Sequence, residues 1–416
     1  MLLGVIADDF TGATDIAGML SQSGMRVTIR THLRHPPLAD SDAVVIALKS
    51  RTNPPQQAVC DSLAALKWLQ THGALRYYFK YCSTFDSSPR GNIGPVAEAL
   101  LQALDADFAI ASPALPDNGR TVYQGHLFVG AELLSESGMR NHPLTPMRDA
   151  NLVRVLQAQS RGKVGLLNRA TVSQGAAAIR AECARLRGGQ YRFAIADALD
   201  NADLFALAEA CAEHPLLTGS SGLALGLPAA YAARRWFQPV VAASPWPPAE
   251  GRAAILAGSC SPATQRQVHH WIAAGRPAWR LDPLRLAAGQ TGADAALDWA
   301  TAQRQPALIY SSASPEDVAA VQLALGPERA GQLVEACLAE IARGLVVAGA
   351  RRLVVAGGET SGAVVQALDT EALRVGPVIC PGVPWTQVEG RPLWLALKSG
   401  NFGTDDFFSA ALGGNH

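Results

Sequence analysis

Leu2-Leu3-Gly4-Val5-Ile6-Ala7-Asp8-Asp9-Phe10-Thr11-Gly12-Ala13-Thr14-Asp15 opens the chain and holds its architecture in miniature. Six apolar residues without polar alternation read as a strand buried on both faces of a parallel sheet. Two aspartates and a glycine turn follow, with Thr11 and Thr14 as candidate caps and a helix expected to open at Thr14 or Asp15. The same unit recurs along the chain. Leu2 to Ala7, Ala43 to Leu48, Tyr77 to Tyr81, Phe108 to Ala111, Val164 to Leu167 and Phe193 to Ala196 are short apolar runs. Stretches such as Pro55 to Gln70 and Gly175 to Leu186 carry apolar residues at helical spacing. Strands alternating with helices over this length mean an α/β layered domain.

The 416 residues exceed one ordinary core and point to two domains, or three, at about 150 residues each. PVVAASPWPPAEG, residues 239–251, holds four prolines that neither a helix nor a central strand tolerates, so it reads as a linker. That divides the chain into 1–238, the linker, and 252–416. The second series begins with Ala253 to Ala257 and continues through Ala307 to Tyr310, Leu353 to Ala356 and Leu393 to Leu397. Glu328 to Ala348 spaces Leu333, Cys337, Ile341 and Leu345 along one helix face. From 276 to 306 the periodicity is weak. The fold class expected is therefore α/β, two α/β domains with largely parallel sheets.

Thirty-five basic and thirty-five acidic residues cancel, which argues against nucleic-acid or membrane-surface binding. No apolar run is long enough to span a bilayer, and no signal-peptide pattern is present, so a cytoplasmic protein is expected. Seven scattered cysteines form no C-x-x-C pair and the nine histidines show no ligand spacing, so no metal ligands are assigned.

Polar clusters follow the strands, where an open α/β sheet binds ligands. Asp8 and Asp9 are placed to hydrogen-bond hydroxyls or to take a proton from one of them. Because side chains alternate along a strand, the two are expected to face differently and to divide their roles. Lys80-Tyr81-Cys82-Ser83-Thr84-Phe85-Asp86 adds a cation and further hydroxyl partners, with Arg90 beyond it. Lysine is scarce, five against thirty arginines, so Lys80 at a strand end stands out. Pro113 to Gln124 adds Asp117, Asn118, Arg120 and Tyr123. In the second half, Gly258-Ser259-Cys260-Ser261 and Gly357-Gly358-Glu359-Thr360-Ser361-Gly362 are strand-to-helix turns suited to phosphate oxygens. Lys398-Ser399-Gly400-Asn401-Phe402-Gly403 follows a third strand, and neither a P-loop nor a dinucleotide fingerprint is present.

GVIADDFTGATD, YFKYCSTFDSSPRGNIGPV, SPALPDNGRTVYQGHLFV, TGSSGLA, AGSCSPATQRQV, VAGGETSGAVVQAL, GPVICPGVPW and LALKSGNFG, in this order, closely resemble the four-carbon acid sugar kinase family. The resemblance implies an N-terminal domain that binds the sugar acid and a C-terminal domain that binds ATP, with Mg²⁺, and a ligand cleft between them. It places substrate contacts on Asp8, Asp9, Lys80, Ser83, Asp86 and Arg120, and nucleotide contacts on Ser259, Gly358, Glu359, Thr360, Ser361, Gly362 and Gly403. Asp9 and Asp86 are the candidate bases, with Asp9 slightly favoured. The implied substrate is 3-oxo-tetronate, phosphorylated on its terminal hydroxyl; D-erythronate and D-threonate are the alternatives. A non-catalytic sugar-acid-binding protein is the reading from another class. The oligomeric state is left open, a homodimer included.

Overall fold

The computed structural model describes residues 1–38, 40–141, 145–240 and 251–413. It divides into two compact units, Met1–Ala242 and Ala243–His416. Residues 241–250, most of the expected linker, lie outside the described residues.

The first unit is built on eight parallel strands. In chain order these are β1 (Leu3–Ala7), β2 (Val27–Arg30), β3 (Ala43–Ala47), β4 (Arg76–Lys80), β5 (Ala109–Ser112), then β9 (Lys163–Leu167), β10 (Tyr191–Ala196) and β11 (Leu216–Gly219). Across the sheet the order is β2-β3-β1-β4-β11-β5-β10-β9. β6 (Arg120–Tyr123), β7 (His126–Val129) and β8 (Glu132–Leu133) form a separate antiparallel sheet. β1 is central and buried at every residue, as its unbroken apolar run requires. Its neighbours β3 and β4 run beside it in register, with Ala7 opposite both Ala47 and Lys80. The three C-terminal ends therefore finish side by side. Helix α1 (Phe10–Gln22) follows β1 directly, and α2 (Pro55–Thr71) and α3 (Ile93–Ala103) complete the crossovers around it.

The second unit orders its strands β13-β14-β12-β15-β18-β17-β16. These are β12 (Arg252–Ala257), β13 (Ala278–Arg280), β14 (Ala307–Tyr310), β15 (Ala350–Ala356), β16 (Ala372–Cys380), β17 (Val383–Val388) and β18 (Trp394–Lys398). The first five in that order are parallel, while β17 pairs antiparallel with β18 on one side and with β16 on the other. One apolar cluster under this sheet gathers Ile255, Trp271, Val354, Trp385, Phe407 and Phe408. The long helix Pro327–Val347 buries Cys337, Ile341 and Leu345 of the expected face, while Leu333 is half-buried.

Candidate functional site

Asp8 and Asp9 leave the end of β1 between two neighbouring chains. Asp8 N–H donates to the Lys80 carbonyl at 3.0 Å, and the Asp8 carbonyl accepts from Ser50 N–H at 2.9 Å and Arg51 N–H at 3.2 Å. The end of β4 therefore delivers Lys80 and the loop after β3 delivers Arg51. Arg51 is the centre of the site. Its Nε and Nη2 meet Asp8 Oδ2 and Oδ1 at 2.9 and 2.8 Å, a bidentate fork. The same Nη2 lies 2.8 Å from Asp9 Oδ1, and Nη1 lies 3.6 Å from Asp86 Oδ2. One guanidinium thus gathers three of the carboxylates singled out from the sequence.

The expectation that Asp8 and Asp9 face differently is corrected here. Strand geometry ends at Ala7, so alternation does not extend to the pair, and both carboxylates turn to Arg51. The helix start is corrected as well. α1 begins at Phe10, and its cap is Asp9, whose Oδ1 accepts Gly12 N–H at 2.9 Å while Oδ2 accepts the Thr11 hydroxyl at 2.9 Å. A Cβ at Gly12 would stand 2.3 Å from Asp9 Oδ1 and 3.1 Å from Lys80 Nζ. Only glycine lets the first helical turn come that close.

Lys80 is buried, donates to the Tyr81 carbonyl at 3.0 Å, and lies 3.8 Å from Asp15 Oδ2. Ser221, in the turn after β11, donates to the same Asp15 oxygen at 2.6 Å. Asp86 is held with φ of 30° beside Phe85 at 64°, and its Oδ1 accepts the Thr84 hydroxyl at 2.7 Å. Two consecutive non-glycine residues with positive φ are a strained arrangement of the kind found at ligand sites. Asn92, which precedes α3, donates to the carbonyls of Ser50, Arg51 and Asn53 at 2.8, 3.0 and 2.9 Å. It holds the loop that aims Arg51.

Electrostatics separate the carboxylates. Burial pushes Asp8 up despite its fork with Arg51. Burial would also raise Asp9, but Arg51, Lys80, the Thr11 hydroxyl and the Gly12 amide outweigh it and hold Asp9 below the usual range. Asp15 is pushed up by burial, against the pull of Lys80 and Ser221. Burial would lower Arg51, but Asp8 and Asp9 beside it outweigh that and hold the guanidinium firmly charged.

Among the described residues, Ser83 and Arg120 make no hydrogen bond to this cluster. The Ser83 hydroxyl, half-buried, makes no hydrogen bond among the described residues. Arg120 sits on β6, its Nη1 bonded to the Asn118 carbonyl and its buried Nε without a partner among the described residues.

In the second unit, the turns after β12 and β15 border a cavity of about 880 Å³. Gly258, Ser259, Gly357, Gly358, Glu359 and Thr360 line one side of it. The helices Pro262–Ala273 and Gly358–Ala367 start at these turns. The other wall is drawn from residues 281–285 and from parts of 317–322 and 330–335, with apolar Leu281, Val318, Val321 and Val334 among them. Of the expected nucleotide residues, Ser259, Gly358, Glu359 and Thr360 border the cavity; Ser361, Gly362 and Gly403 do not. The Gly403 carbonyl instead accepts from Gln267 at 3.1 Å. Sequence reasoning missed Arg51, one of thirty arginines, and the cavity wall from the weakly periodic stretch.

Two family models match the chain. A model described as "Sugar-binding N-terminal domain" matches residues 3–227, and one described as "Nucleotide-binding C-terminal domain" matches residues 254–408. The chain belongs to the four-carbon acid sugar kinase family. Among its relatives, a protein of Cupriavidus necator named 3-oxo-tetronate kinase is 57% identical, covering 99% of this chain and 96% of that one. One of Pseudomonas fluorescens with the same name is 58% identical over the same shares. A solved family structure from Salmonella typhimurium LT2 has a TM-score of 0.90 at 45% identity, covering 98% of each chain. Among the described residues, no helix is long and apolar enough to cross a membrane.

Proposed function

We propose that this chain is an ATP-dependent kinase that phosphorylates the terminal hydroxyl of 3-oxo-tetronate, giving 3-oxo-tetronate 4-phosphate. One observation carries the reading: a chain that matches 3-oxo-tetronate kinases along nearly its full length has both the Arg51-centred carboxylate cluster and the glycine-turn cavity. The cluster, rich in fixed acceptors beside Lys80, suits a small polyhydroxy acid. The cavity offers turn amides and hydroxyls to phosphates and apolar surface to a base.

Phosphoryl transfer passes through a loose transition state, so positioning and charge neutralisation matter more than a strong base. Lys80, Ser83 and Arg120 are proposed to bind the acid, and Asp8, fixed by Arg51, to orient its hydroxyls. Of the two candidate bases, Asp9 already spends both oxygens on the helix cap and Arg51. Asp86 keeps the less engaged oxygen, Oδ2, 3.6 Å from Arg51. We therefore assign Asp86 to accept the proton and Asp9 to position. Mg²⁺ usually binds through one or two carboxylates plus substrate phosphates, and Glu359, in the first turn at the cavity, fits that need. When bound it would neutralise phosphate charge. All seven cysteines are free, which supports a reducing cytoplasm.

An ADP-release assay across 3-oxo-tetronate, D-erythronate and D-threonate tests the proposal. The expected result is the highest kcat/KM with 3-oxo-tetronate. Equal or faster turnover of either alternative would reassign the substrate, and no acid-dependent ADP release would remove the kinase reading.

A further inference from the structure

Lys398 ends β18 and is the sole lysine of the second unit. It is 0% exposed. Its Nζ donates to Ser399 and Gly400 carbonyls at 3.0 and 2.9 Å and to Thr264 Oγ1 at 3.1 Å. Three acceptors match the three protons of an ammonium. Among the described residues no carboxylate lies within ion-pair distance of it. The groups around it carry no compensating charge. Helix Phe407–Ala411 presents the Phe407 ring, 5.9 Å away, and β16 presents the Cys380 thiol, which burial pushes up to about 11 and keeps neutral. β15 presents Ala356, and helix Pro262–Ala273 presents Thr264, its Arg266 being turned to Asp405 at 2.8 Å. Burial accordingly pulls Lys398 down to about 7. A buried cation left this way is costly unless a counter-charge arrives.

The residue is also a junction. The Gly400 carbonyl that it holds accepts from Ser261 Oγ at 2.6 Å and Thr264 Oγ1 at 2.8 Å. A Cβ at Gly400 would stand 2.3 Å from Ser259 Oγ. The backbone carbonyl of Lys398 accepts Gly357 N–H at 2.8 Å. Ser259 and Gly357 both line the cavity. We propose that Lys398 is the positioning residue of the nucleotide phosphate site, pinning the Ser259, Gly357 and Gly400 turns together, its charge balanced by the phosphates of the bound nucleotide. This rests on the reading of the cavity as the nucleotide site.

Two consequences follow. Nucleotide binding should draw a proton onto Lys398, and affinity should fall as pH rises above 7. A merely structural lysine would do neither. The test is calorimetric titration of the full chain with MgADP at pH 8 in two buffers of different ionisation enthalpy, for wild type and Lys398→Met. The wild type should take up most of a proton on binding. Lys398→Met should lose that uptake and at least tenfold in MgADP affinity at pH 7, with sugar-acid affinity unchanged. Should Lys398→Met fail to fold, the wild-type proton count decides alone. No uptake by wild type, or unchanged MgADP affinity in a folded Lys398→Met, overturns the proposal. A wild type that does not bind MgADP at all overturns the nucleotide reading itself, and this inference with it.

Discussion

Arg51 meets Asp8 along one edge of each group, Nε to Oδ2 at 2.9 Å and Nη2 to Oδ1 at 2.8 Å. Only a planar guanidinium makes that contact while its Nη2 also reaches Asp9. The arginine is what allows two adjacent carboxylates to end a central strand.

Removing it should therefore unsettle the first unit. Breaking a fully buried pair costs about 3–5 kcal/mol; because Arg51 keeps some solvent contact, Arg51→Met is expected to lose roughly 2–3 kcal/mol. Arg51→Lys should fall between the two, since an ammonium cannot form the fork. Urea unfolding followed by circular dichroism measures both, and an Arg51→Met variant as stable as wild type would remove Arg51 from the centre of the site.

Asp9 carries a structural duty that Asp86 lacks. Asp9→Ala should cost about 1 kcal/mol from the lost cap alone. Asp9→Asn keeps an acceptor oxygen, so it should hold the helix start while removing the charge. If Asp86 accepts the proton, Asp86→Asn should lower kcat on the order of 10²–10⁴-fold with little change in sugar-acid affinity, and Asp9→Asn should mainly weaken that affinity. The reverse pattern would return the base role to Asp9.

Asp15 gives a pH signature. Its folded pKa is raised above the ordinary 3.8, so the stability it contributes is fully present below that value and is lost as pH rises through the folded one. The stability of wild type relative to Asp15→Asn should consequently decline from pH 4 towards pH 7. Urea midpoints at pH 4, 5.5 and 7 would show it; a difference that stays constant or grows would contradict the buried-carboxylate account.

Two glycines of the second unit should behave oppositely. Gly400→Ala places a Cβ against Ser259 Oγ, so MgADP affinity should drop severalfold while the first unit keeps its sugar-acid affinity. At Gly362, inside the helix Gly358–Ala367, an added Cβ meets open space. Gly362→Ala should raise stability by about 0.5–1 kcal/mol through helix propensity. Thermal melts and calorimetry on both variants check the contrast, and a destabilised Gly362→Ala would mean that position contacts ligand or chain in a way the open space does not suggest.

What was legible in the sequence follows from where the apolar residues run together. β1 and β3 are unbroken hydrophobic strings, and β10, β12 and β15 each contain one, Phe193 to Ala196, Ala253 to Ala257 and Leu353 to Ala356. β2 is not such a string: Val27-Thr28-Ile29-Arg30 buries a hydroxyl and a whole guanidinium, the latter over the Trp68 ring and against the carbonyls of His32 and Pro36. Hydropathy alone does not mark a strand that carries polar side chains inward, here satisfied by Ser41, by the His32 and Pro36 carbonyls and by the Trp68 ring. β16 hides for another reason, since Pro377 interrupts the run that its antiparallel pairing with β17 tolerates through register shifts.

The site divides similarly. Asp8, Asp9, Lys80 and Asp86 were readable because strand ends are where such sheets do chemistry. Arg51 was not, because its meaning lies in contacts 42 and 43 residues away. The cap at Asp9 escaped because the helix opens on an aromatic residue, Phe10, directly after it, with no spacer to signal a start.

The long-range character of the Asn92 clasp bears on how the molecule is made. A chain emerging from the ribosome exposes Asp8 and Asp9 before the Arg51 that pairs with them. Arg51 follows much later, yet its loop is not fixed until Asn92 arrives to bind the Ser50, Arg51 and Asn53 carbonyls. The hydroxyl that settles Asp15 comes from Ser221, 206 residues downstream. The motif is thus completed by residues made long after it, and a nascent chain stalled before residue 221 would carry its acidic cluster unfinished.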